Sequence, residues 1–175
     1  MKIIAITIIF ITLFSYCVWY ILKSNKREWL KKENLPKELI KAKLFMSEKY
    51  ISCTSPRRLC GFPDQVFAVS KDLIIVDTKS RDSNIVYKKD IVQISVYAVI
   101  LRKKYKRKRV RDYGYIRIDN YRGISYKKVE LLSEDEIINL YDRNEQLKKF
   151  NSTANKTNIK PLCKTCVYQK KCFPY

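Results

Sequence analysis

The chain has 175 residues, with 37 Lys and Arg against 17 Asp and Glu, a formal net charge of +20, and no histidine. That length suits one modest domain, and that surplus of cations points to a polyanionic partner, either nucleic acid or an anionic membrane surface. Without histidine, a Ser–His–Asp triad, a Cys–His dyad and any His-ligated metal site are excluded, so catalysis must run on carboxylates, lysine, tyrosine or cysteine.

Residues 3–22, IIAITIIFITLFSYCVWYIL, form an uncharged and almost wholly apolar run. At a helical rise of about 1.5 Å per residue such a run spans a hydrocarbon core of about 30 Å, so a transmembrane anchor is predicted over residues 1–23. Trp19 and Tyr20 fall near its end, where amphipathic rings favour the interface. The cationic stretch KSNKREWLKK follows, and the positive-inside rule places the C-terminal body in the cytoplasm, on a single-pass inner-membrane protein. A cleaved signal peptide fits less well, because the run is long and no small-x-small site follows it. Residues 24–46 read as a basic juxtamembrane linker with a short helix after Pro36, and its lysines suit anionic head groups.

The body, residues 47–150, reads as alternating strands and helices. YISCTS is a short strand and PRRL a turn. FPDQVFAV and LIIVDTK form a hairpin with its turn near Ser70-Lys71. DIVQISVYAVILRKKY is a helix, with Asp90 at the cap and Gln93 at the capping-box position. RKKYKRKRVR carries eight cations in ten positions: Arg102, Lys103, Lys104, Lys106, Arg107, Lys108, Arg109 and Arg111. These form a candidate phosphate-tracking surface with Tyr105 available for stacking, or a solvated loop that touches anionic lipid. YGYIRID and ISYKKVELL are two further strands, and SEDEIINLYDRNEQLKKF is a second helix. The order implies a mixed α/β core.

Residues 151–175 are a polar linker and a tail, CKTCVYQKKCFPY, that holds Cys163, Cys166 and Cys172. A CxxC followed closely by a third cysteine is the layout of a metal or cluster ligand set; disulfides and free thiols are the alternatives. A tetrahedral set needs a fourth thiolate. Cys17 falls in the apolar segment, which leaves Cys60 as the narrow preference and Cys53 behind it.

Residues equidistant from a hairpin turn face each other, so a turn between Ser70 and Lys71 pairs Asp64 with Asp77, with Cβ atoms about 5 Å apart. Lys79 lies on the same face as Asp77. Two such carboxylates repel unless a cation sits between them, and hard oxygens suit magnesium or manganese. Gln93 and Tyr97, four apart, share one face of the following helix and can lean toward that cation. A hard metal, two aspartates, a lysine and a basic surface together point to phosphodiester hydrolysis, with Lys79 orienting water or stabilising developing charge. Taken singly, each residue has a plainer explanation as a cap, a surface pair or core.

Pro63-Asp64 followed by Asp77-Thr78-Lys79 resembles the PD-(D/E)XK nuclease signature. Gly61-Phe62-Pro63-Asp64, IIVDTKS and the Gln93/Tyr97 pair are similar to motifs of its RecB-like branch. The tail is similar to that of the CRISPR-associated RecB-like exonucleases, the Cas-four family, which are related to the nuclease domain of the Dna-two helicase. The resemblance covers about residues 50–175. It implies a restriction-endonuclease-like core, a mixed sheet flanked by helices, to which this chain adds the one N-terminal transmembrane helix read from its apolar run. It also implies a magnesium- or manganese-dependent exonuclease acting on single-stranded DNA, with a [4Fe-4S] cluster, zinc being the alternative. In this frame Asp64 and Asp77 hold metal with the Thr78 carbonyl, Lys79 assists water attack, and Gln93 and Tyr97 support the site. The family's histidine ligand is absent here, and Glu48 is the candidate substitute. The competing expectation is a non-catalytic module of the same fold that binds DNA or a partner at the membrane.

Overall fold

The computed structural model describes residues 11, 13–20, 33–149 and 166. Residues 11 and 13–20 are helical (α1). Strands β1 (Lys43–Ser47), β2 (Ile51–Cys53), β3 (Leu59–Gly61), β4 (Gln65–Val69) and β5 (Asp72–Ser80) follow. After them come helix α2 (Lys88–Lys104), strands β6 (Arg109–Val110), β7 (Tyr113–Asn120) and β8 (Gly123–Glu130), and helix α3 (Glu134–Lys148).

The main sheet runs β1-β4-β5-β7-β8, with β6 also paired to β5. β4 and β5 are an antiparallel hairpin, and β5 runs parallel to both β6 and β7. Helix α2 is the crossover between the parallel strands β5 and β7, as parallel pairing requires. β2 and β3 form a separate two-stranded sheet.

β5 is the centre of the fold because its sequence, DLIIVDTKS, is buried without a break from Asp72 to Asp77. A strand covered on both faces reads as a continuous apolar run rather than an alternation. Ile74 and Val76 meet Leu39 and Tyr115 on one face, with Leu35, Ala42, Phe67 and Tyr126 packed around them. Leu73, Ile75 and Asp77 alternate to the other face, which α2 covers. Gly114 allows that approach: a Cβ there would lie 2.6 Å from Ile94 Cδ1 and 2.8 Å from the Ile75 carbonyl oxygen.

Several sequence expectations shift. β1 falls in the stretch that reads as linker, and the segment before it packs on the sheet. Glu38 accepts hydrogen bonds from the Tyr113 and Tyr115 hydroxyls, and Glu33 pairs with Arg117 at 2.6 Å. Helix α2 begins earlier than expected, so Asp90 is its third residue, and Asp90 accepts a hydrogen bond from the Tyr87 amide at 2.9 Å. Gln93 takes no part in capping. The described residues up to Ser133 form one compact unit, and α3 falls in a second.

Among the described residues no helix is long and apolar enough to cross a membrane. Much of the 3–22 run lies outside them. Its described side chains Ile11, Leu13, Phe14, Tyr16, Val18, Trp19 and Tyr20 are all exposed.

Candidate active site

The hairpin register follows the equidistance argument: Gln65 pairs with Val76, which sets Asp64 one step on, opposite Asp77. Asp64 sits in the bend just before β4, and its backbone is held from β1. Its carbonyl accepts Ser47 Oγ at 2.8 Å and the Glu48 amide at 3.3 Å, and the Glu48 amide also reaches the Pro63 carbonyl at 2.9 Å. Asp64 Oδ2 accepts the Thr78 amide at 2.7 Å. One carboxylate is thereby aimed across the hairpin at the backbone of the strand that carries the other.

Asp77 is fully buried on the α2 face of β5. The Lys79 ammonium lies 2.8 Å from Asp77 Oδ2 and donates to Gln93 Oε1 at 2.9 Å. Gln93 Nε2 donates to Asp77 Oδ1 at 3.2 Å and to the Tyr97 hydroxyl at 3.0 Å. The amide orientation is forced, because an ammonium has no lone pair and Gln93 must present its oxygen to it. One helical residue thus ties both members of the strand motif to each other and to Tyr97, one turn on.

Burial pushes the Asp77 carboxyl above the ordinary carboxylate range; Lys79 offsets part of this, and Asp64 and Asp90 add to it. Oδ2 is buried against the Lys79 ammonium at 2.8 Å. Acidic oxygen donors on facing strands are what a hard cation requires. The donors present, two carboxylates and a backbone carbonyl, match magnesium or manganese, which take one or two carboxylates and complete their shell with water and substrate phosphate. Asp64, Asp77 and Thr78 would hold such an ion, which would supply a polarised phosphate and a water of lowered pKa.

Glu48 does not complete a larger set. It is exposed with φ 48°, and among the described residues no group of three or more His, Cys, Asp and Glu could hold a metal. The basic run also lies elsewhere. Arg109 pairs with Asp72, at the start of β5, whereas Asp77 and Lys79 lie toward its end. Five residue steps along the strand separate Asp72 from Asp77, about 16 Å at the usual rise. Arg109 forks onto Asp72 at 2.7 and 2.8 Å, Arg111 joins it at 2.6 Å, and Arg102 reaches Asp112 at 3.1 Å. Lys104, Lys106 and Arg107 are exposed, and Lys106–Arg109 line a concavity of about 490 Å³ with Ser70, Lys71 and Asp72. Tyr105 packs edge-on against Phe45, with centroids 5.1 Å apart.

Ser52 pairs with Cys60 and Cys53 with Leu59, so the Cys53 and Cys60 side chains point to opposite faces of the small sheet. Cys60 is exposed, Cys53 is half-buried, and both are free thiols, as is the exposed Cys166. Cys163 and Cys172 lie outside the described residues.

Sequence reasoning missed a supporting ion pair. Arg81, just past β5, bonds Asp90 at 2.7 Å and stacks over the Tyr87 ring at 4.7 Å. Burial of Asp90 raises its pKa, but Arg81 and the Tyr87 amide outweigh this and hold the carboxyl below its ordinary value. The pair clamps the start of α2 to the end of β5 and so fixes Gln93 over Asp77 and Lys79. The only signal in the sequence was a carboxylate in a first helical turn, which reads as an ordinary cap.

A mixed sheet with a crossover helix, carrying an acidic pair and a lysine where its central hairpin meets that helix, defines a nuclease-type core. The PD-(D/E)XK nuclease superfamily matches residues 20–173, and the chain belongs to that superfamily. Among solved structures it is similar to the protein SSO0001, at 17% identity over 91% of this chain and 70% of that one, with a TM-score of 0.49. It is also similar to a candidate exonuclease from Eubacterium rectale, at 12% identity over 85% of this chain, with a TM-score of 0.51. The chain spans 60% of that protein's length, and the likeness extends to the fold. No curated protein sequence matches the chain.

Proposed function

We propose that the chain is a magnesium- or manganese-dependent deoxyribonuclease of the RecB-like, Cas-four type that digests single-stranded DNA from an end. The observation that carries this reading is the buried Asp77 carboxylate, paired with Lys79 at 2.8 Å, on the strand opposite Asp64. Asp64, Asp77 and the Thr78 carbonyl bind metal. Lys79 orients the attacking water and stabilises charge developing on the phosphate, and Gln93 holds Lys79 in place with Tyr97 behind it. Loss of one such charge-stabilising group lowers the rate by about 10²–10³-fold. Wild type should degrade labelled single-stranded DNA with manganese, and Lys79→Ala and Asp77→Ala should each lower the rate by at least about 10²-fold. Equal degradation by all three refutes the reading.

The anchor and the tail complete the proposal. Residues 3–22 anchor the chain in the inner membrane with the body in the cytoplasm, a reading supported by the exposed apolar side chains along α1. Cys163, Cys166 and Cys172 bind a [4Fe-4S] cluster with Cys60, whose exposure favours it over Cys53. Iron and sulfide in anaerobically purified protein, lost in Cys60→Ser and kept in Cys53→Ser, support this; stoichiometric zinc contradicts it.

A second reading, the same fold as a non-catalytic binding module, draws on there being, among the described residues, no group of three or more His, Cys, Asp and Glu that could hold a metal. The cleavage assay separates the two.

A further inference from the structure

Phe62 and Tyr50 stand out among the exposed aromatic residues. They are 58% and 52% exposed, and their rings are in contact, with centroids 5.3 Å apart and planes tilted by 55°. Single exposed apolar residues are ordinary on any surface. Among the described residues of the body, Tyr50 and Phe62 are a contacting pair in which both rings stay open to solvent. Their position adds to this. Phe62 lies two residues before Asp64, and Tyr50 lies two residues after Glu48, whose amide is bonded to the Pro63 carbonyl. The pair therefore brackets the backbone that presents Asp64. Lys49, beside Tyr50, is exposed as well. An aromatic platform beside a cation, next to a phosphate-cleaving site, is how unpaired nucleobases are held: bases stack on rings, and cations track the backbone.

We propose that Tyr50 and Phe62 form a stacking platform that grips an unpaired nucleobase next to the phosphodiester at Asp64, Asp77 and Lys79. The inference rests on the nuclease reading and supplies a reason for single-strand preference. Within a duplex the faces of a base are covered by its neighbours, so only an unstacked base can lie against these rings. The tilt leaves each ring with an open side, and stacking makes no demand on base identity, so the platform holds any sequence.

The test uses the full-length chain in detergent with Asp77→Asn added to prevent cleavage. The probe is a fluorescent oligothymidylate longer than the roughly 4–16 nucleotides that such sites cover, with a blunt duplex alongside. Phe62→Ala and Tyr50→Ala should each weaken single-strand binding by about 5- to 150-fold, the equivalent of one lost base–ring stack. Phe62→Trp should retain affinity, Phe62→Leu should not, and duplex binding should be indifferent to all four. Unchanged affinity in both alanine variants overturns the platform, as does full rescue by Phe62→Leu, which would mark a mere apolar contact. These results leave the nuclease reading intact. An Asp77→Asn parent that does not bind DNA, together with a wild-type chain that does not cleave it, overturns both.

Discussion

Replacing Gly61 with alanine tests the site without touching any charged group. A Cβ at Gly61 would lie 2.4 Å from Tyr97 Cε1 and 3.3 Å from Cδ1, about 1 Å inside ordinary contact for the nearest atom. The ring belongs to a buried residue in the middle of α2, so it has no free direction of retreat. Overpacking of this kind costs about 1–3 kcal/mol, which for a domain near 100 residues lowers Tm by roughly 4–8 °C per kcal/mol. If the ring withdraws, the 3.0 Å bond from Gln93 Nε2 to the Tyr97 hydroxyl is lost, a further ~0.5–1.5 kcal/mol. Gln93 also holds Lys79 and Asp77, so a shift of about 1 Å there should lower cleavage by about 10²-fold. Thermal denaturation and single-turnover cleavage are measured for Gly61→Ala, Tyr97→Ala and the double variant. With the ring already removed, the added methyl should have almost no further effect. Equal losses in the presence and absence of the Tyr97 ring would refute the reasoning.

Asp77→Asn should stabilise the metal-free protein at neutral pH. Burial raises the folded pKa of Asp77 above its ordinary 3.8, so ionised Asp77 subtracts stability progressively as pH rises through that interval. Wild type should therefore fall behind Asp77→Asn in Tm as pH increases, and manganese should reverse the order; a variant less stable than metal-free wild type at neutral pH contradicts this. Gln93→Leu leaves Lys79 and Asp77 Oδ1 each short of a partner and should cost about 1–3 kcal/mol in chemical denaturation together with activity. Normal activity in that variant would remove Gln93 from the site. At the other end of β5, Arg109 chiefly, with Arg111, holds the Asp72 carboxyl below its ordinary range against a burial effect that raises it. Its contribution to stability is present above the unfolded value and fades as pH falls through the lowered folded one. Asp72→Asn should flatten the acid limb of the unfolding profile while leaving cleavage unchanged.

The candidate site was legible because its parts are local. The turn at Ser70-Lys71 fixes which residues of the hairpin face each other, so Asp64 and Asp77 pair whatever the rest of the chain does. The Gln93/Tyr97 spacing likewise follows from the helical repeat alone. What escaped depends on contacts distant in sequence. β1 is five residues long with one buried side chain, Met46, and becomes a strand only because β4 offers it an edge. Glu33 and Glu38 look like linker residues until the tyrosines and arginine of β7 and β8 meet them. The sequence does not say where the basic run lies relative to the site. Only the parallel pairing of Arg109 with Asp72 reveals that it lies toward the other end of β5.

The central claim is that Asp64 and Asp77 hold a divalent cation while Lys79 acts on the substrate. Titration of manganese into the full-length chain, followed by calorimetry, tests it most directly. The account predicts saturable binding to wild type and to Lys79→Ala, and none to Asp64→Asn or Asp77→Asn, with Lys79→Ala inactive despite its metal. Undiminished manganese binding to Asp77→Asn would contradict it.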